Sequence, residues 1–335
     1  MSNLGWLFYK DYFRGIDYAD LSNPDNQTII QDKVKKIINQ SVSIVEDERL
    51  GNIHFKATTT YPGLILGSGN AHELPSIEGQ VILGFHFDYT SGLPVIQGSS
   101  IKGVLRSAFK YPEYIKEYVD DEVDVEALEK EIFNNGDVFF DATIMSNGKI
   151  LSDDFLTPHG DDPLKNPIPL RFIKVLPNVT FRFDFELSDG ILIKESKAIL
   201  FANILSDLGI GAKTNVGYGK FNADLVSQTK LAIESQKEEE RKEKKAKEDK
   251  EFAEKQEKEI EALDSTIEKI KVKIKDFTKK DTKNIYEVIE KYSLSEEEKK
   301  EIIVYLHALI GKKPTPKKNK APIKWAIKIY ELLGV

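Results

Sequence analysis

The chain has 335 residues, enough for two domains or for one core with an appendage, and it carries a formal net charge of −7. It contains no cysteine, which excludes disulfides, zinc ribbons and thiolate chemistry. The acidic balance argues against a bulk polyanion binder, so a nucleic-acid site has to be a local basic patch on an acidic body.

The opening MSNLGWLFYKDYFRG has neither the basic start and apolar run of a signal peptide nor the length of a membrane helix, and we expect a cytoplasmic protein with no membrane partner. Strand patterns follow in IHFKATTTY (53–61), QVILGFHFDY (80–89), DVFFDATIM (137–145), IPLRFIKVL (168–176) and VTFRFDFEL (179–187). Helix patterns occupy SIKGVLRSAFKYP, which ends before Pro112, and KESKAILFANILSDLG, which ends at Gly209. A last strand is expected in GYGKFNADLV. This order predicts an α+β fold of the ferredoxin-like, RRM-like (split βαβ) type with insertions. With helices on one face, such a sheet is expected to leave its other face open to RNA.

Charge then changes character. Residues 1–230 hold 22 Lys/Arg and 32 Asp/Glu, whereas 231–335 hold 26 and 23. Between Lys237 and Glu259 there are 9 basic and 10 acidic residues with no Gly or Pro, the composition of a solvated helix laced with i,i+4 ion pairs. Apolar positions return at helical spacing in four later segments. Ser295 and Glu298 form a capping box, and GKKPTPKKNKAP breaks the last two helices. Three parts are expected: a mixed domain over 1–228, a charged helical spacer over 229–260, and a small helical bundle over 261–335. The lysines of the break (Lys312, Lys313, Lys317, Lys318 and Lys320) are a lesser candidate for RNA contact.

Two loops carry the chemistry. In LPVIQGSSIKGVLRSAF the chain runs from strand through Gly98, Ser99 and Ser100 into a helix, whose free amides and dipole favour an anion. Lys102 and Arg106 lie four apart on one face of that helix. In LGIGAKTNVGYGKF the order is reversed, helix to glycine loop to strand. That order excludes a Walker loop, which needs a helix after the glycines, and the G-x-G-x-x-G spacing fails because residue 214 is threonine. What remains is a glycine arch with Lys213 and Asn215, able to follow a phosphate backbone. Tyr218 is either a base-stacking ring or a packing residue of the last strand.

These loops, with TTTYPGLILGSGNAHE and DDFLTPHGDD…PIPLRFIKVLPNVTFRF, resemble the RAMP superfamily, and in combination the family of the sixth Cmr subunit of type III-B CRISPR RNA-guided effector complexes. NLGWLFYKDYFRG is similar to that family's opening, and the resemblance covers roughly residues 1–225. It implies a non-enzymatic subunit that holds the 3′ part of the guide (CRISPR) RNA and helps it pair with target RNA. Its implied partners are the backbone RAMP, the small subunit and the other terminal RAMP, with no cofactor and no metal. The implied RNA contacts are Ser99, Ser100, Lys102, Arg106, Lys213, Thr214, Asn215, Tyr218 and Lys220, and no residue is implied to be catalytic.

Two other readings stand beside it. A metal-independent RAMP endoribonuclease needs a general base near the ribose 2′-hydroxyl. His72, in a loop, is then the best suspect, ahead of the strand residues His54 and His86 and of His159 beside Asp161 and Asp162. A protein-only scaffold is the third reading, favoured by the acidic charge and the association-prone tail.

Overall fold

A computed structural model of the chain describes residues 3–44, 49–75, 77–134, 136–157, 169–263, 265–314 and 321–334. It divides into two compact units, Met1–Glu238 and Glu239–Val335.

In the first unit the chain begins with helices α1 (Leu4–Tyr9) and α2 (Pro24–Ile38), each opened by an asparagine whose side chain accepts an amide hydrogen of the first turn. Then come β1 (Ser41–Val42), β2 (Ile53–Thr58), β3 (Val95–Ile96), α3 (Gly98–Ala108), α4 (Pro112–Lys116) and α5 (Val125–Asn134). Strands β4 (Val138–Phe139), β5 (Ala142–Ile144), β6 (Gly148–Lys149), β7 (Leu151–Leu156), β8 (Leu170–Val175) and β9 (Thr180–Glu186) lead to α6 (Lys194–Leu208). The unit is mixed helix and sheet.

The central sheet is antiparallel in the order β2-β9-β5-β3, with β4 also on β9. Beyond β2, Thr59 bridges Phe221. Strict alternation in IHFKAT and TFRFDFE builds its apolar face: Phe55 sits opposite Phe183, and Phe185 packs against Phe201 of α6. One contiguous core joins this face to α1, α2, α3 and α6.

The other face differs from expectation. Arg182 and Asp184 stand on it at 2% and 1% exposure, the guanidinium Nε donating to both carboxylate oxygens at 3.0 and 2.9 Å. Lys56, paired in register with Arg182, is exposed. At its central strand the face is therefore covered rather than open.

Two expected strands are not strands. Over 80–89 the chain makes only isolated bridges, Val81 to Arg171, Leu83 to Ala71 and Phe87 to Pro94, so its partner segment changes every few residues and no continuous ladder forms. The last strand shrinks to the single bridge at Phe221, because the chain turns at Asn222–Asp224 straight into helix α7 (Leu225–Glu261).

Helix α7 takes up the charged segment in one run of 37 residues. In the second unit, α8 (Thr266–Ile274), α9 (Thr282–Glu290), α10 (Glu296–Leu309) and α11 (Ala321–Leu332) enclose a small core of Ile270, Ile274, Ile285, Ile302, Leu306 and Ile329. Ser295 and Glu298 close the reciprocal cap on α10. Among the described residues no helix is long and apolar enough to cross a membrane.

Candidate nucleic-acid interface

The glycine arch is built by its own backbone. Gly209 ends α6 with a positive φ of 69°, and the next amide, of Ile210, donates to Gly219 O at 2.9 Å, closing residues 210–219 into a loop. Gly219 N donates to Gly63 O (2.8 Å) and Ala212 N to Ile65 O (3.2 Å), which fastens the loop to the segment following β2. A Cβ on Gly219 would lie 1.8 Å from Ile210 O, and one on Gly211 2.5 Å from Ile65 O, so glycine is required at both.

At the crown, Lys213 adopts φ 59° and ψ 39° and precedes a 3-10 turn, Thr214–Val216. Lys213 and Asn215 are exposed. Among the described residues the amides of Lys213, Thr214 and Asn215 find no acceptor. Successive free N–H groups across a left-handed to right-handed step form a concavity that suits an anion.

The two predicted loops meet. A narrow cleft of about 40 Å³ is lined by Leu66, Gly67, His86, Gln97, Ser100 and Gly211, among others, bringing the start of α3 against the arch. A larger groove of about 400 Å³ lies elsewhere, between Ser41–Ile44 and Leu93–Val95. Asp88 and Asp141 line it without any lysine or arginine, so it is the wrong sign for a phosphate.

The start of α3 is less available than its sequence implies. Gly98 N donates to Asp141 Oδ1 at 2.7 Å, so a carboxylate already occupies the helix's first amide. Ser99 and Ser100 remain exposed. Lys102 lies with Nζ 5.7 Å from the Phe139 ring centroid, and Arg106 pairs with Glu129 at 2.8 Å.

Two further expectations are corrected. Tyr218 is 8% exposed, its ring edge-on to Phe172 and its hydroxyl donating to Asp154 Oδ2 at 2.8 Å; burial raises its pKa, and no base can stack on it. Lys220 donates from Nζ to the carbonyl of Asp207, near the C-terminus of α6, so it braces the arch. Asp207 in turn accepts from the hydroxyls of Tyr114 (2.8 Å) and Tyr118 (2.6 Å).

The leading histidine candidate also fails. His72 stacks on Phe8 with ring centroids 3.8 Å apart, is flanked by Tyr12 and Phe13, and is 6% exposed. Burial pushes its pKa down to about 4. His86 lines the cleft instead, 3.4 Å from Gln97 Nε2. His159, Asp161 and Asp162 lie outside the described residues, as do Lys317, Lys318 and Lys320.

Sequence reasoning passed over Tyr61. It lies in the turn 60–63, which touches the arch directly, and it is 85% exposed. TTTYPG does announce a turn, but nothing local tells that the ring faces solvent.

Comparison with known proteins places this architecture. The family model described as the RAMP superfamily matches residues 56–222, which contain most of the central sheet, α3, α6 and the arch. The chain is 28% identical over 205 residues to the CRISPR system CMR subunit Cmr6 of Saccharolobus solfataricus, a match covering 57% of this chain and 64% of that one, less than two thirds of its length. It is 27% identical to a chain in a cryo-EM structure of the type III-B Cmr-beta bound to cognate target RNA, covering 50% of this chain and 57% of that one with a TM-score of 0.38. Against the crystal structure of Cmr6 from Pyrococcus furiosus the values are 24% identity, 50% and 96% coverage, and a TM-score of 0.34. On the family match over residues 56–222, the chain belongs to the RAMP superfamily.

Proposed function

We propose that this chain is the Cmr6-like subunit of a type III-B CRISPR effector complex and that the arch holds the backbone of the 3′ part of the guide RNA. The observation that carries this reading is the crown of the arch: an exposed Lys213 with three successive amides, its own and the next two, that lack acceptors among the described residues, on a glycine loop fastened by its own backbone. Cations and backbone amides grip phosphates without reading bases, which suits a complex that must accept guides of any sequence. The likeness to the Saccharolobus solfataricus subunit supports the choice of complex.

In this reading Ser99, Ser100 and Lys102 border the path of the strand, Lys213, Thr214 and Asn215 hold it, and Arg106 and Lys220 serve the fold. The sheet order, with the Phe221 bridge outside β2, supports a ferredoxin-like core. The other Cmr subunits and target RNA are the partners, in the cytoplasm, and the subunit itself is non-catalytic.

Protein purified with its neighbouring subunits should carry a short RNA. The double substitution Lys102→Glu, Lys213→Glu should lower the RNA retained, and unchanged retention would overturn the two-loop grip. His86, at the cleft, supports a second reading as a metal-independent nuclease. Cleavage of RNA by the full chain in EDTA, abolished by His86→Ala, would establish that reading in place of the first.

A further inference from the structure

The turn that carries Tyr61 is bonded to the arch along its length. Thr60 N and Oγ1 both donate to Lys220 O (3.0 and 3.2 Å), Gly63 N donates to Thr60 O (2.8 Å), and Gly219 N donates to Gly63 O (2.8 Å). Pro62 Cδ lies 3.4 Å from where a Cβ on Gly217 would be. A turn held this tightly should have little freedom, yet its largest side chain stands in solvent: Tyr61 is 85% exposed, and no hydrogen bond of its hydroxyl is seen among the described residues. Val216, next to Gly217 in the arch, is also exposed.

We infer that Tyr61 is a shelf on which one nucleobase of a single-stranded RNA stacks while Lys213 and the free amides of the crown hold its phosphates. The inference rests on the proposed RNA-holding role of the arch and adds to it the missing aromatic contact. Two kinds of complementarity select the occupant. The crown offers a cation and unpaired N–H donors, which call for an anionic polymer, and the ring offers a flat π-face, which every base can use irrespective of sequence. Ordering this ring costs little, because its backbone is already fixed and only two side-chain torsions remain free.

The test is binding of the full chain to a short single-stranded RNA of mixed sequence carrying a fluorescent adenine analogue. The variants are Tyr61→Ala, Tyr61→Phe and Lys213→Glu, each with its thermal midpoint measured. Tyr61→Ala should weaken binding about ten-fold and abolish the quenching of the analogue, while Tyr61→Phe keeps both. Because Tyr61 carries no charge, Tyr61→Ala should leave the salt dependence of binding unchanged. Lys213→Glu should instead reduce that slope, by about 0.7 for each phosphate that is no longer neutralised. The thermal midpoint should not move in the Tyr61 variants.

If Tyr61→Ala binds as the wild type does while Lys213→Glu is weakened, the shelf is refuted and the arch stands. If neither variant changes binding, or the wild type does not bind, the arch reading falls and the shelf with it. If Tyr61→Ala keeps its RNA but no longer co-purifies with neighbouring subunits, the ring is a protein contact and the inference is overturned.

Discussion

The pocket around His72 should make the stability of the first unit depend on pH in a direction that can be worked out. Stacked on Phe8 and flanked by Tyr12 and Phe13, the ring is buried, and its Nε2 has no hydrogen-bond partner among the described residues. Its pKa falls to about 4 in the folded protein, against 6.5 for a free histidine. Between these values the unfolded chain binds a proton that the native state refuses, so stability falls as pH drops below 6.5 and levels off below about 4. The linkage amounts to about 2 kcal/mol between pH 7 and pH 5, and about 3 kcal/mol in full.

In His72→Phe the stack on Phe8 survives and the proton is gone. The difference in unfolding free energy between wild type and variant should therefore shift by about 2 kcal/mol, in favour of the variant, when urea titrations at pH 7 are repeated at pH 5. The chain has two tryptophans, one in each unit, so a Trp325→Phe background lets Trp6 fluorescence report the first unit alone. An equal difference at both pH values would refute the reasoning. It would show that His72 is not held neutral by burial, and His72 would return as a candidate general base.

Further expectations follow from single contacts. Lys197 is fully buried with Nζ 3.0 Å from the buried carboxylate of Asp137, so Lys197→Met should cost about 3–5 kcal/mol in urea unfolding by stranding that charge; a change below about 1 kcal/mol would contradict this. Gly219→Ala would drive a Cβ into Ile210 O and should open the arch, seen as weakened hydrogen-exchange protection at Ile210. Gly103→Ala, on an exposed helix position with nothing within 4 Å, should instead stabilise by about 0.5–1 kcal/mol. Ser295→Ala removes the cap of α10 and should lower the stability of the second unit by about 1 kcal/mol, measured by circular dichroism melting.

Local pattern carried the local structure well. The 3.6 periodicity between Gly98 and Phe109, with Pro112 beyond, and the run from Lys194 to Gly209 are the observed α3 and α6 within a residue or two. The alternation in VTFRFDFEL is β9, and Ser295 with Glu298 is the cap it promised. What local pattern lacked was partners distant in sequence. Tyr218 is buried because Asp154, 64 residues earlier, accepts its hydroxyl. The first amide of α3 is filled because Asp141, 43 residues on, reaches back to it. His72 lies in loop sequence, and only the fold of α1 around it makes it a core residue. The arch itself was legible as a glycine loop following a helix, but its fastening to Gly63 and Ile65, and so the place of Tyr61, depends on backbone bonds that side-chain pattern does not encode.

If the chain holds RNA as proposed, the buried Arg182–Asp184 pair bears on its selectivity. On a central strand whose rings lie bare, bases spread out like text on a page, where their edges can be read. Here that page is shut, and in the proposed reading a strand would be held at the sheet's end, like thread through an eyelet. For an RNA mounted in that way, occupancy would depend on ionic strength and on the length of the strand, with little regard to its letters. One guide could then be exchanged for another without any change in the protein.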